Sequence, residues 1–107
     1  MLLCNAFSLN MLATLNANIT VRPLSVEDVR DFLADGLMSA VGHSDTAAIF
    51  SSGLGIEVPI NRVDLSLATG DRMIVGQYRG PRLEAGATEL PPGATIEWCL
   101  VVIEKGR

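Results

Sequence analysis

Two segments that start and stop like helices are set between runs that alternate like strands. That order restricts the chain to an α/β architecture more than any other feature does. Met1–Ala6 reads as a short buried strand, and Ile19–Pro23, β-branched and polar by turns, as a second. Between them, Phe7-Ser8-Leu9-Asn10-Met11-Leu12 predicts a turn into a brief helix with Ser8 as its cap. Ser25 opens the first full helix: with Asp28 it makes a capping box, acids fill the first turn, and Gly36 ends the segment. Val26, Val29, Phe32 and Leu33 fall on one face of it. A second helix begins at His43, is carried by Ala47, Ala48, Ile49 and Phe50, and is stopped by Gly53 or Gly55. Val58–Ile60 is extended around Pro59. Val63, Leu65 and Leu67 alternate with Asp64 and Ser66 as a half-buried strand. Thr69-Gly70-Asp71 then turns the chain into Met73–Tyr78, a central strand, so that the two form a hairpin. Arg79–Gly93 is loop, and Ile96–Glu104 is a long last strand holding the only Trp. The expected fold is a single α/β domain over residues 1–107, a mixed β-sheet with helices packed against it.

A chain of 107 residues buries one core and not two. Its formal charge of −4 argues against a duplex-binding protein, whose affinity rests on many phosphate contacts. The charge is uneven. Residues 1–57 set Arg22 and Arg30 against six acids, whereas residues 58–107 balance to zero and contain Arg72, Arg79 and Arg82 with no acid between them. Arginine outnumbers lysine seven to one, and its planar fork suits phosphate, so a compact anionic ligand fits this pattern. Arginines that merely keep a strand edge soluble fit it equally well. The low charged fraction, 19%, points to surface buried in a homodimer. Cys4 and Cys99 lie in apolar runs without ligand spacing, which excludes a zinc site and suits a reducing cytosol. No segment approaches the length of a membrane span and the apolar N-terminus lacks a basic region. The expected location is therefore the cytoplasm, with no membrane partner.

His43 is the only histidine, and it follows Gly42 and precedes Ser44-Asp45-Thr46 at a helix start. Histidine trades a proton near neutrality, and the free N–H groups of a first helical turn attract anions. A lone histidine is also a common packed or capping side chain, so both roles stay open on these residues alone. Gly-rich phosphate loops, a Cys–His pair and a nucleophile elbow are all absent. The carboxylates of Glu27, Asp28 and Asp31 sit on the solvated face of their helix. Gln77, in an apolar strand, must find partners or face a ligand. One reaction class fits without metal or cofactor: an RNA 2′-OH attacks the adjacent phosphorus and the 5′-oxygen leaves. It requires alignment, charge neutralisation and an acid, of which His⁺ and Arg supply the last two.

Four segments in order extend this reading. Asn5-Ala6-Phe7-Ser8-Leu9-Asn10-Met11, Ser39 to Thr46, Asn61-Arg62-Val63, and Gln77 followed by Arg82-Leu83-Glu84-Ala85-Gly86 resemble the viral type III anti-CRISPR ring nucleases and the host-encoded CRISPR ring nucleases of the same family. The resemblance runs from residue 3 to the final strand. It implies a small α/β homodimer whose two-fold interface holds cyclic tetra-adenylate, the second messenger of type III CRISPR immunity, and cuts it into linear di-adenylates without a metal or other cofactor. By the same resemblance His43 is the general acid, Arg82 and Glu84 complete the catalytic set, and Asn5, Ser8, Thr46, Arg62 and Gln77 contact the ligand. The sequence departs from the family at two places: Ala85 stands where an acid usually precedes the loop glycine, and Asp45 where a serine usually precedes the threonine. One extra residue, near Gly80-Pro81, separates Gln77 from Arg82. An anion at Asp45 is unfavourable beside a phosphate ligand unless it caps the helix. These departures keep open a non-catalytic protein that holds a cyclic oligonucleotide as a sponge or sensor.

Overall fold

The computed structural model describes all 107 residues. Five strands form one mixed sheet: β1 (Leu2–Cys4), β2 (Ala17–Leu24), β3 (Met38–Ser39), β4 (Arg72–Arg79) and β5 (Thr95–Lys105). Their spatial order is β2-β5-β4-β1-β3, with β1 parallel to both β3 and β4, and β5 antiparallel to both β4 and β2. Two helices, α1 (Val26–Leu33) and α2 (Ser44–Leu54), cover one face, and a single 3-10 turn (Leu9–Met11) lies between β1 and β2. The α/β class and the mixed sheet agree with the periodicities.

The sheet is lined by apolar side chains on both faces, as a sheet covered on both sides must be. Beneath the helices, Val29 and Leu33 of α1 and Phe50 and Leu54 of α2 pack on Leu3, Ile74, Trp98 and Leu100. On the reverse face, Met73, Val75, Val101 and Ile103 are covered by Leu67 and by the half-buried Phe7, Met11 and Leu12. Gly76 is the tightest point of the helix side. A methyl group there would lie 2.5 Å from Phe50 and 2.6 Å from Trp98, whose rings meet tilted at 4.8 Å between centroids. Glycine lets both rings rest on the strand itself.

Two sequence expectations need correction, and one short strand goes beyond them. The strand over Val63–Leu67 and its hairpin with Met73–Tyr78 do not form. Leu67 instead makes an isolated bridge to Leu12, with its N–H donating to Met11 and its carbonyl accepting from Ala13. The neighbours of β4 are β5 and β1, which leave no place beside it for a hairpin partner. The two-residue β3 is too short for any periodicity to announce. The first helix ends at Leu33, before the expected Gly36, whose φ of 144° places it in the turn that follows.

Candidate functional site

Because β1, β3 and β4 run in parallel, their carboxyl ends open on the same edge of the molecule, where α/β sheets present ligand-binding residues. The chain leaving β3 passes through Val41 and Gly42 to His43, which is the N-cap of α2 in an extended conformation. Asn61 clamps this passage. Its backbone N–H donates to the Val41 carbonyl at 2.8 Å and its side-chain amide to the Ser39 carbonyl at 2.7 Å. The Ser39 hydroxyl in turn donates to Pro59 at 2.6 Å. Arg62, next along, has its Cβ against the bare Cα of Gly42: a methyl at Gly42 would sit 3.5 Å from it. The backbone thus holds Arg62 one residue from His43.

The start of α2 is open. His43 is exposed and its side chain makes no capping hydrogen bond, so the first-turn N–H groups of Ser44, Asp45 and Thr46 lack the side-chain acceptor that usually serves them. The first carboxylate of the helix, Asp45, is engaged by a loop: its Oδ1 accepts from the backbone N–H of Gly86 at 3.1 Å. His43 itself occupies the cap position, so Ser44, Asp45 and Thr46 lie inside the first turn. The other end is closed firmly by Gly55 at φ 70°, and by Arg30, whose Nε donates to Leu54 at 2.7 Å.

The remaining predicted residues are distributed rather than gathered. Half-buried Asn5 lies one residue beyond β1, close to Cys4, whose thiol is 3.9 Å from its amide oxygen. Ser8 is exposed and caps the 3-10 turn only by position, with no side-chain bond. Thr46 is half-buried in the first turn of α2. Arg82 and Glu84 share a separate small cavity with Ala87, Glu89, Pro91 and Pro92, and neither forms an ion pair. Their one connection to the helix start is the Gly86–Asp45 hydrogen bond.

Gln77 is exposed rather than enclosed, which removes the desolvation argument made for it from the sequence. Its amide donates only to the neighbouring Tyr78 carbonyl, and it lines a cavity of about 360 Å³ with Phe7, Val75, Arg79 and Cys99 on the reverse face of the sheet. Burial pushes the Cys99 thiol up from its ordinary value, the Glu97 carboxylate adds to that, and a hydrogen bond from the Val75 backbone opposes it. The run of arginines is likewise divided. Arg79 pairs with Glu97 at 2.8 Å, Arg72 lies over the Phe32 ring at the other end of β4, and Arg82 is in the loop. No three His, Cys, Asp or Glu side chains gather as a metal-ligand set, and no helix is long and apolar enough to cross a membrane. Ser39 and Asn61, which the sequence offers only as members of the resembling segments, build the site by hydrogen bonding, and the tie from Asp45 to Gly86 is what sequence reasoning missed. Nothing in the sequence pairs two positions 41 apart.

A mixed five-stranded sheet with two helices on one face defines a small α/β domain. Residues 1–91 match the STIV B116-like family, and the chain belongs to it. B116 of Sulfolobus turreted icosahedral virus has a similar structure, with a TM-score of 0.76 and 28% identity over 94% of this chain and 97% of that one. "Uncharacterized protein 26" of Sulfolobus islandicus filamentous virus (isolate Iceland/Hveragerdi) is 32% identical over 57 residues. That match spans 52% of this chain and 48% of the viral protein. These relatives place the chain in a family of Sulfolobus-virus proteins.

Proposed function

We propose that this protein is a metal-independent phosphodiesterase that opens cyclic tetra-adenylate and so antagonises or switches off type III CRISPR signalling in the host-cell cytoplasm. The observation that carries it is the exposed, unpartnered imidazole of His43 at the uncapped start of α2, with Arg62 packed against the preceding Gly42. The open N–H groups and the positive end of the helix attract a phosphate, and the guanidinium of Arg62 adds to that field. A ribose 2′-OH then attacks its own 3′-phosphorus in line with the leaving 5′-oxygen, and its proton passes to solvent as the O2′–P bond forms. The P–O5′ bond breaks, protonated His43 gives its proton to that oxygen, and the product ends in a 2′,3′-cyclic phosphate. Two such cuts across the ring give two linear di-adenylates.

The ring has four phosphates and two-fold symmetry, while one chain carries a single His43. A C2 homodimer sets two copies of His43, Arg62, Arg82 and Glu84 around it, with Asn5, Ser8, Thr46 and Gln77 completing the contacts. Membership in a family of virus proteins and the four ordered segments support this reading. Labelled cyclic tetra-adenylate incubated with the protein in EDTA is expected to yield di-adenylate. An intact ring after hours at excess protein sinks the assignment. Tight binding of one ring per dimer without product replaces it with the sponge or sensor, the reading favoured by Ala85 and Asp45.

A further inference from the structure

We infer that Asp45 is a positioning residue: its carboxylate holds the loop between β4 and β5, and with it Arg82 and Glu84, against the first turn of α2. The inference rests on the phosphodiesterase reading for what Arg82 and Glu84 do, but the tie itself stands on geometry. The loop spans residues 80–94, and its own hydrogen bonds are local: Tyr78 to Pro81, Ala87 to Glu84 at 3.1 Å, and Ala94 to Pro91 at 3.0 Å. The single hydrogen bond that leaves the loop for another part of the fold is Gly86 N–H to Asp45 Oδ1.

Both ends of that bond are suited to it. The Ala87–Glu84 hydrogen bond closes a turn in which Gly86 adopts φ 81°, a left-handed conformation that favours glycine, and the turn presents the Gly86 N–H outward. Asp45 is the second residue of α2, where the helix dipole stabilises a carboxylate, and it is half-buried. A carboxylate accepting from a backbone N–H is among the stronger hydrogen bonds, whereas a loop of this length is entropically costly to keep in one place. Neither Arg82 nor Glu84 forms an ion pair, so no salt bridge holds the loop in place of this bond. The same arrangement accounts for an acid where the ligand is anionic. Its charge is engaged by the helix end and a loop amide.

The test compares Asp45→Ala with Asp45→Asn, which keeps an acceptor oxygen in place. In Asp45→Ala the Gly86 amide is expected to exchange with solvent about tenfold faster by NMR, and kcat on cyclic tetra-adenylate to fall about tenfold while KM moves less than threefold. Asp45→Asn is expected to stay within threefold of the parent chain on each count. Unchanged Gly86 exchange in Asp45→Ala overturns the tie. Faster exchange with unchanged kcat, or an Asn variant as impaired as Ala, overturns the positioning role. If the parent chain itself yields no di-adenylate, the phosphodiesterase reading fails, and the Gly86 exchange rate alone still decides whether Asp45 holds the loop.

Discussion

The two helices begin in opposite ways. At α1, the Ser25 hydroxyl accepts from the Asp28 N–H and the Asp28 carboxylate accepts from the Ser25 N–H, both at 3.0 Å, with Glu27 adding charge to the first turn. Two donors that a helix start leaves open are thereby satisfied. At α2, the cap position holds His43, which satisfies none, and the one nearby carboxylate is engaged with a loop. Each of these helices lies on the same face of the sheet and each is anchored by buried side chains. What differs is where the stability comes from. The start of α1 is built to hold a helix, and the start of α2 is left free to hold something else, with packing and the Gly55 end keeping it in place.

The largest effect that sharpens this contrast is expected from His43→Ala. An exposed side chain without partners contributes little to folding, so the melting temperature is expected to stay within about 2 °C of the parent. Turnover of cyclic tetra-adenylate is expected to fall about 10²–10⁴-fold with binding retained, the range for loss of a general acid. Turnover unchanged in single-turnover assays removes His43 from its role. Next comes Gly76→Ala, which tests whether α2 depends on packing in place of a cap. The added methyl must displace Phe50 or Trp98, and a loss of about 1–3 kcal/mol in urea unfolding is expected. A neutral result means that α2 shifts freely on the sheet.

A pair of smaller changes inverts the comparison. Ser25→Ala removes one arm of the capping box and is expected to cost about 1 kcal/mol without touching turnover. His43→Ser places a good cap on α2 in a backbone conformation that already suits one, and is expected to add about 1 kcal/mol while abolishing most of the activity. Gain and loss in the same variant, read by urea unfolding and by product release, would show that the open start of α2 is a functional choice. If His43→Ser is no more stable than the parent, the absence of a cap there has no energetic meaning.

The two starts were unequally legible in the sequence. Ser25, Asp28 and the 3.6-residue spacing of Val26, Val29 and Phe32 are local, and they located α1 directly. His43 was legible as a chemical type at a helix start, and the structure keeps it there. The failures were non-local. Leu65 and Leu67 alternate like strand residues, but that chain segment turns under the 3-10 region instead of joining the sheet. Gln77 sits in an apolar run, yet it is exposed, at the open cavity that it lines together with Phe7. The β3 pairing depends on only two residues, Met38 and Ser39, beside Leu2 and Leu3. A sequence records which side chains suit a strand, and the edge at which coverage stops is decided by the whole fold.

The smallest expected effect lies away from both helix starts and separates folding from site chemistry along the pH axis. Cys99 is half-buried on the reverse face of the sheet, where burial first and the Glu97 carboxylate second push its thiol up. The unfolded chain therefore releases that proton at a lower pH than the folded one. Its contribution to stability is fully present below the unfolded value and is lost as the pH rises through the folded one. Free thiols ionise near pH 8.5, so urea unfolding followed from pH 7 to 10.5 is expected to bend downward above about pH 8.5. Cys99→Ser, which leaves the cavity nearly unchanged in volume and does not ionise in this range, is expected to flatten that part of the curve. Neither His43→Ser nor Ser25→Ala is expected to alter the bend, because His43 and Ser25 are not among the groups that shift this thiol. A bend that survives in Cys99→Ser would place the alkaline loss elsewhere in the fold.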